Sequence, residues 1–305
     1  MSFTTKSIPQ LSGTTSVITG ANSGLGLATA KALASHGSHV VMAARNLDKA
    51  RAAASLITRD VPAASLEIVE LDLGSLESVE RAAGNMMSNH ERIDILINNA
   101  GLMAMPEGRT SDGFETQFGV NHLGHWALTA RLLPALVDAP AARVVTVTSS
   151  AHHFGRGVDP ANPNLEGSYG PWKAYGHSKL ANYHFAIGLQ SYFETNGFPV
   201  ASFLAHPGLS DTNLQTRTVE EGGGGFVGWL SLNLARRTGM SAERGALCQI
   251  RAATDPRARG GQFYAPRYFT FGPPVVRPML RPGRSRAISN LWAVSEHATG
   301  LPMKV

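Results

Sequence analysis

Six short apolar runs, rich in Val, Ile and Ala, recur along the first two-thirds of the chain with helix-like segments between them. They fall at residues 16–19, 39–44, 66–71, 93–98, 143–148 and 200–204, and the helical patterns include 25–35, 47–59, 75–88 and 114–137. The strand runs show little alternation of apolar and polar residues. A strand that is apolar on both sides must be covered on both faces. Strand–helix–strand order then predicts an α/β fold, a doubly wound parallel sheet with helices on both faces. At 305 residues such a sheet still fits one domain. No repeat of fixed period and no break in composition asks for a second, so residues 1–305 are expected to form a single unit.

Composition narrows the function classes. The single cysteine, Cys248, has no partner within the chain, which fits a reducing compartment. Its place in the helical run 242–253 marks it as buried filler rather than a nucleophile. The chain opens on Met-Ser-Phe-Thr-Thr-Lys, without the apolar stretch of a signal peptide. It has no apolar run of about 18 residues, the length of a spanning helix. No integral membrane segment is expected, and a cytoplasmic location is the default. The net charge of +5 is uneven, because from Arg251 onward nine Lys or Arg stand against two Asp or Glu. That surplus of seven leaves the first 250 residues at −2. Arg277, Arg281, Arg284 and Arg286, laced with Pro and Gly, accompany no nucleic-acid motif and read as a solvated tail. No nucleic-acid partner is expected, and no metal.

The first apolar run leads straight into Thr19-Gly20-Ala21-Asn22-Ser23-Gly24-Leu25-Gly26, and a helical pattern follows. Glycine permits a tight turn and lets the backbone approach a phosphate, while a helix N-terminus offers free N–H groups and the positive end of its dipole. The spacing is G-x-x-x-G-x-G rather than G-x-G-x-x-G, and turns need glycine anyway. Its position between an apolar strand and a helix favours nucleotide binding. The second strand ends in Ala44-Arg45-Asn46, with no acid to hold a ribose 2′-hydroxyl. Arg45 offers a guanidinium fork suited to a 2′-phosphate, with Ser23 and Asn46 as helpers, so NADP(H) is expected. The plain alternative is a surface arginine. Asp72 and Leu73 follow the third strand, where Asp72 is placed to bond an adenine amino group. Asn98-Asn99-Ala100-Gly101 closes the fourth strand, either as part of the cofactor site or as an ordinary turn.

The chemistry-bearing segment is Tyr175-Gly176-His177-Ser178-Lys179. On a helix a phenol and an ammonium four residues apart share one face. A tyrosine is a poor base at its usual pKa of about 10, and a neighbouring positive charge favours its phenolate. Taken alone, such a pair is a common surface accident. Another apolar strand ends in Thr148-Ser149-Ser150, at the sheet edge where α/β folds bind ligands. Ser149 is placed to stabilise charge on a substrate oxygen. A serine nucleophile would need a base such as His152 or His153, but no G-x-S-x-G elbow is present.

In order and spacing, Thr19–Gly26, Asn98–Gly101, Ser149 and Tyr175–Lys179 resemble the short-chain dehydrogenase/reductase family, over roughly residues 14–215. The resemblance implies a Rossmann-type fold, with a nucleotide-binding part over about 14–150 and a catalytic and substrate-binding part over about 150–305. It implies Tyr175 as acid/base, Lys179 as its pKa-lowering partner and a grip on nicotinamide ribose, and Ser149 as oxygen stabiliser. Asn121, in Val120-Asn121-His122-Leu123-Gly124-His125, would hold a water linking Lys179 to solvent. The turn His206-Pro207-Gly208 would lie under nicotinamide, with Thr212 bonding its carboxamide or the pyrophosphate. The segments 172–182, 121–128 and 291–296 are similar to the retinol dehydrogenase branch. Residues 152–172 and the apolar 214–234 are expected to wall the substrate; as a lid, 214–234 would point to a lipophilic alcohol or carbonyl compound, and the competing reading is an amphipathic helix packed on the core. The family pairs subunits through helices near 114–137 and 173–193, which implies a homodimer or homotetramer. The rival reading is a non-catalytic NADP(H)-binding sensor or scaffold on the same fold, a kind of protein that usually loses the tyrosine or the lysine.

Overall fold

The computed structural model describes residues 2–210, 239–279 and 284–305, apart from the side chain of Arg284. Eight strands form one sheet: β1 (Thr15–Thr19), β2 (His39–Ala44), β3 (Ser65–Glu70), β4 (Ile95–Asn98), β5 (Ala142–Val147), β6 (Val200–Ala205), β7 (Phe263–Pro266) and β8 (Pro274–Arg277). Their order is β3-β2-β1-β4-β5-β6-β7-β8, parallel throughout except for the antiparallel β7/β8 pair. The chain order reverses between β1 and β4, which opens a crevice at the carboxyl ends of these strands.

Neighbouring residues on one strand go to opposite cores, which accounts for the unbroken apolar runs. Val17 and Val41 pack with Val79, Met86, Leu128 and Phe185 on one face of the sheet. Ile18, Val40 and Met42 pack with Leu33, Ile57 and Cys248 on the other. The first face is covered by α3 (Leu76–Asn89), α4 (Gly124–Val137) and α5 (Pro171–Asn196); the second by α1 (Gly24–Ala34), α2 (Leu47–Asp60) and α6 (Ala242–Thr254). Cys248 is a buried free thiol whose pKa burial pushes up to about 12, so it is inert filler.

The helix anticipated over 114–137 is present from Thr116 to Val137, with a widened turn inside it. One short turn (Thr116–Phe118) is capped by Glu115, which accepts from the Gln117 and Phe118 amides. A wide π-turn (Gly119–Leu123) then carries Asn121 before α4 begins. Glycines bracket it because a Cβ at Gly124 would run into the Leu73 carbonyl, and one at Gly119 into Thr110.

The described parts of the arginine-rich stretch belong to a strand and a helix rather than to a solvated tail. Arg277 ends the edge strand β8, its guanidinium lying 5.7 Å from the centre of the Phe269 ring, and Arg286 lies in α7 (Arg284–Thr299). Pairing with β7 holds β8, and burial of Leu291 and Val294 holds α7; Arg281 lies outside the described residues.

Finally, α7 packs against part of α4 and α5, the helices near which pairing of subunits was expected. Trp292 fills the space left by Gly188 of α5 and meets Trp126 of α4 edge-on at 4.9 Å. His122 bonds Ser295 at 2.8 Å, and Trp126 donates to the Leu301 carbonyl at 2.9 Å.

Candidate active site

The crevice begins at the loop after β1. Gly20 and Gly24 hold φ of +68° and +51°, a region that glycine enters without the Cβ penalty. A Cβ at Gly26 would strike the Gly20 carbonyl, so the loop closes tightly onto α1. Ser23 stands at the N-cap of α1 without capping it by its side chain, which leaves its hydroxyl and the first-turn amides for another acceptor or donor. Asn22 and Leu25 lie in the same loop. These features match an anion cradle at a helix N-terminus.

Arg45 follows β2 with its side chain 58% exposed, and its Nη1 lies 4.0 Å from Asp72 Oδ2. Asn46 is committed locally, because its Oδ1 caps α2 by accepting from the Lys49 amide at 2.8 Å. Asp72 Oδ1 accepts from the Gly74 amide at 2.9 Å, leaving its other oxygen toward Arg45. Leu73 is buried beneath.

Asn99 also turns out to be a structural clamp. Its amide nitrogen donates to the Thr19 carbonyl at 2.8 Å and its oxygen accepts from Gln249 at 3.2 Å. Thr19 Oγ1 in turn accepts from the Asn99 and Ala100 amides, both at 3.0 Å, and contacts His125 Nε2 at 2.9 Å. Burial pushes His125 down to about 4, so it stays neutral in this network. The ends of β1 and β4 are thereby locked together, and the Asn99 side chain is committed to that lock. Thr19, His125 and Gln249 were not singled out from sequence, since nothing local marks them as partners.

Helix α5 places Tyr175 and Lys179 one turn apart, with Lys179 Nζ 5.9 Å from the centre of the Tyr175 ring. Pro171 at its first turn and Gly197 in the left-handed region at its end delimit the helix. Tyr175 is buried among Met103, Ala104, Ala151 and Trp172. That burial pushes its phenol up to about 12, against a hydrogen bond from Ser149 that works the other way. Ser149, half-buried at the end of β5, is therefore the serine that meets the phenol, while Ser150 is exposed. Lys179 is 4% exposed, and desolvation lowers its pKa to about 8. Its ammonium has the Val147 carbonyl at 3.4 Å.

Asn121 is fully buried and pinned. Its Oδ1 accepts from the Leu102 amide at 2.6 Å, and its Nδ2 donates to the Leu102 carbonyl and to Ser178 Oγ, each at 2.9 Å. A Cβ at Gly101 would sit 3.0 Å from Asn121 Oδ1 and 3.2 Å from Lys179 Nζ. The missing side chain thus opens a gap that both groups line. Gly208, at φ +74°, folds back under the Thr270 carbonyl after Pro207. Thr212 and the expected wall at 214–234 lie outside the described residues. The insert 152–172 is fastened to the neighbouring loop, with Tyr169 donating to the Met105 carbonyl at 2.7 Å.

The family profile of the short chain dehydrogenases matches residues 14–222, well over half of the chain. Among curated relatives, human retinol dehydrogenase 12 is 42% identical over 205 residues, 67% of this chain and 64% of that protein. Mouse polyprenol dehydrogenase is 37% identical over 83% of this chain and 75% of its own. The short-chain dehydrogenase/reductase drtF of Aspergillus calidoustus is 35% identical and nearly full-length, covering 95% of this chain and 94% of its own. Among solved structures, an uncharacterized protein from Mycobacterium paratuberculosis superposes with a TM-score of 0.81 at 38% identity, covering all of both chains. The fold extends to a Shigella flexneri short chain dehydrogenase complexed with NADP, with a TM-score of 0.61 at 22% identity over 83% of this chain and 97% of that one. Among the described residues no helix is long and apolar enough to cross a membrane. The chain belongs to the short-chain dehydrogenase/reductase family of oxidoreductases, which use nicotinamide cofactors, and within it resembles the retinol dehydrogenases.

Proposed function

We propose that this chain is an NADP(H)-dependent oxidoreductase interconverting a lipophilic alcohol and its carbonyl compound. The observation that carries the reading is Tyr175, bonded by Ser149 in an apolar pocket, with a buried Lys179 ammonium one turn away. When bound, NADPH supplies the hydride for the carbonyl carbon, and NADP+ accepts one in the reverse direction.

The chain's own residues do the rest. Gly20, Asn22, Ser23, Gly24, Leu25 and Gly26 form the phosphate cradle, and Arg45 takes the 2′-phosphate by charge-assisted hydrogen bonds. Asp72 and Leu73 flank the adenine, the backbone of Asn99, Ala100 and Gly101 lines the cofactor, and Pro207 and Gly208 lie beneath nicotinamide. Ser149 holds the substrate oxygen while Tyr175 passes it a proton. Burial keeps the Tyr175 phenol protonated at rest, so it stands ready as the acid for carbonyl reduction. Lys179 favours the phenolate left behind and grips the ribose hydroxyls. Asn121 and Lys179 line the Gly101 gap, where a water would return the proton. The lipophilic substrate rests on the apolar surround of Tyr175 and on relatives named for retinol and polyprenol.

Tyr175→Phe tests the reading. Turnover of lipophilic aldehydes falls on the order of 10²–10⁴-fold, with NADPH affinity preserved in a fluorescence titration. Undiminished turnover would overturn the assignment. Absence of turnover in the native protein over a broad carbonyl panel, with tight NADPH binding, would instead establish a cofactor-binding scaffold.

A further inference from the structure

A second constellation gathers at the opposite end of the sheet from the crevice. His39 opens β2, Glu67 lies on β3, and His90 caps the C-terminus of α3. The register pairs His39 with Ser65 and Val41 with Glu67, so His39 and Glu67 project from the same face of the sheet. The last turn of α3 lays His90 over them. Glu67 Oε2 lies 2.7 Å from His90 Nε2 and 3.4 Å from His39 Nε2. The three potential ligand atoms all fall within 4.8 Å of one another, the one such group among the described residues.

Two of the atoms that do not converge are held from outside. Ser65 Oγ lies 2.7 Å from His39 Nδ1, and Asn89 donates to Glu67 Oε1 at 3.3 Å. Such partners orient imidazole and carboxylate ligands around a metal. Burial raises the Glu67 carboxyl, yet the bonds from His90 and His39 hold it below its ordinary value, so it stands ionised.

We propose that His39, Glu67 and His90 bind a divalent transition-metal ion of the Zn2+ class, which staples β2, β3 and α3 together. Two imidazoles and one carboxylate suit such an ion, whereas Mg2+ and Ca2+ take oxygen ligands. Ligand distances of about 2.0–2.2 Å set tetrahedral edges of roughly 3.4 Å, which the Glu67–His39 pair already has. The Glu67–His90 pair opens by about 0.7 Å to admit the ion. Side-chain exposures of 30%, 23% and 14% for His39, Glu67 and His90 leave a path for the ion and a water as fourth ligand. The carbonyl end of α3 adds a favourable dipole for a cation. His39 binds through Nε2 by moving its proton to Nδ1, a change the Ser65 hydroxyl follows because it both donates and accepts.

The test is titration of Zn2+ into chelator-treated, full-length protein free of NADP(H), by calorimetry and thermal unfolding. One Zn2+ per chain is expected at micromolar affinity or better, with a rise in Tm of about 2 °C or more at saturation. Mg2+ should give no shift. Glu67→Gln and His90→Gln should each lower the affinity at least about tenfold, since even outer-shell changes cost that much. X-ray absorption on the loaded wild-type protein should show an N/O shell with two imidazoles. No uptake at micromolar Zn2+, full affinity in the Glu67→Gln/His90→Gln double variant, or a shell with fewer than two imidazoles would each overturn the proposal.

Discussion

The two ends of the crevice are built on opposite plans. At the proposed catalytic end Asn121, Tyr175 and Lys179 are at most 5% exposed, and their polar atoms are tied to backbone or neighbouring side chains. At the proposed ribose end Arg45 is 58% exposed, with Asp72 no nearer than 4.0 Å. Proton transfer needs groups whose charge can be moved, and desolvation moves it: up for Tyr175, down for Lys179. Holding a phosphate needs only a permanent cation that can swing into place, and solvent keeps Arg45 free to do so. The first plan costs folding stability; the second costs almost nothing and is easily rewritten.

Lys179→Met tests the costly end and should have the largest effect. Turnover falls by about 100-fold or more, in the range expected for loss of proton-transfer assistance, yet the cofactor-free protein becomes more stable. The folded-state pKa of Lys179 is about 8 against an ordinary 10.5, so between these values the folded chain binds fewer protons than the unfolded one. Wild-type stability therefore rises with pH across that window, and the desolvation penalty is fully present below it. The variant's advantage should reach up to about 3 kcal/mol at pH 7 and shrink as pH climbs from 8 toward 10.5. Thermal unfolding over this range reads it directly, and an unchanged or lowered Tm at pH 7 would break the contrast.

Arg45→Asp probes the cheap end. NADPH affinity should fall roughly 10–100-fold, the worth of a charge-assisted hydrogen bond, while Tm and NADH binding stay close to wild type. Binding titrations at low and moderate salt check it, and a retained NADPH preference would show that another group reads the 2′-phosphate. Smallest is Asn46→Ala. Loss of the α2 cap should cost about 1 kcal/mol of stability with little change in NADPH affinity; a marked drop in affinity would move Asn46 into the cofactor shell.

Five of the strands were legible because each is largely apolar on both faces and closed by polar or glycine residues, a signal confined to a few neighbouring positions; β3, with Glu67 and Glu70, shows it only through Leu66, Ile68 and Val69. The glycine loop and the Tyr175–Lys179 spacing are local in the same way. The antiparallel pair at the sheet edge was not legible: β7 and β8 have four residues each, and their identity as strands depends on β6 lying alongside. Nor was the wide turn at Asn121, which is set by contacts with Leu73, Leu102 and Thr110 outside the helix. Asn46 and Asn99 show the limit within the site itself. Both lie beside the crevice as expected, but their side chains serve the fold. Polar residues at strand ends have two possible masters, and only the tertiary structure says which.

The seat of α7 has a consequence for how the molecule comes into being. Residues 291–301 close a core whose other walls, Trp126 and Phe185, were laid down more than a hundred residues earlier. During synthesis the side of those aromatics that α7 covers stays open until α7 has left the ribosome. Contacts spanning such separations form late and slowly. The chain should therefore be more prone to aggregation before α7 is made, and docking of α7 is the event that ends that exposure.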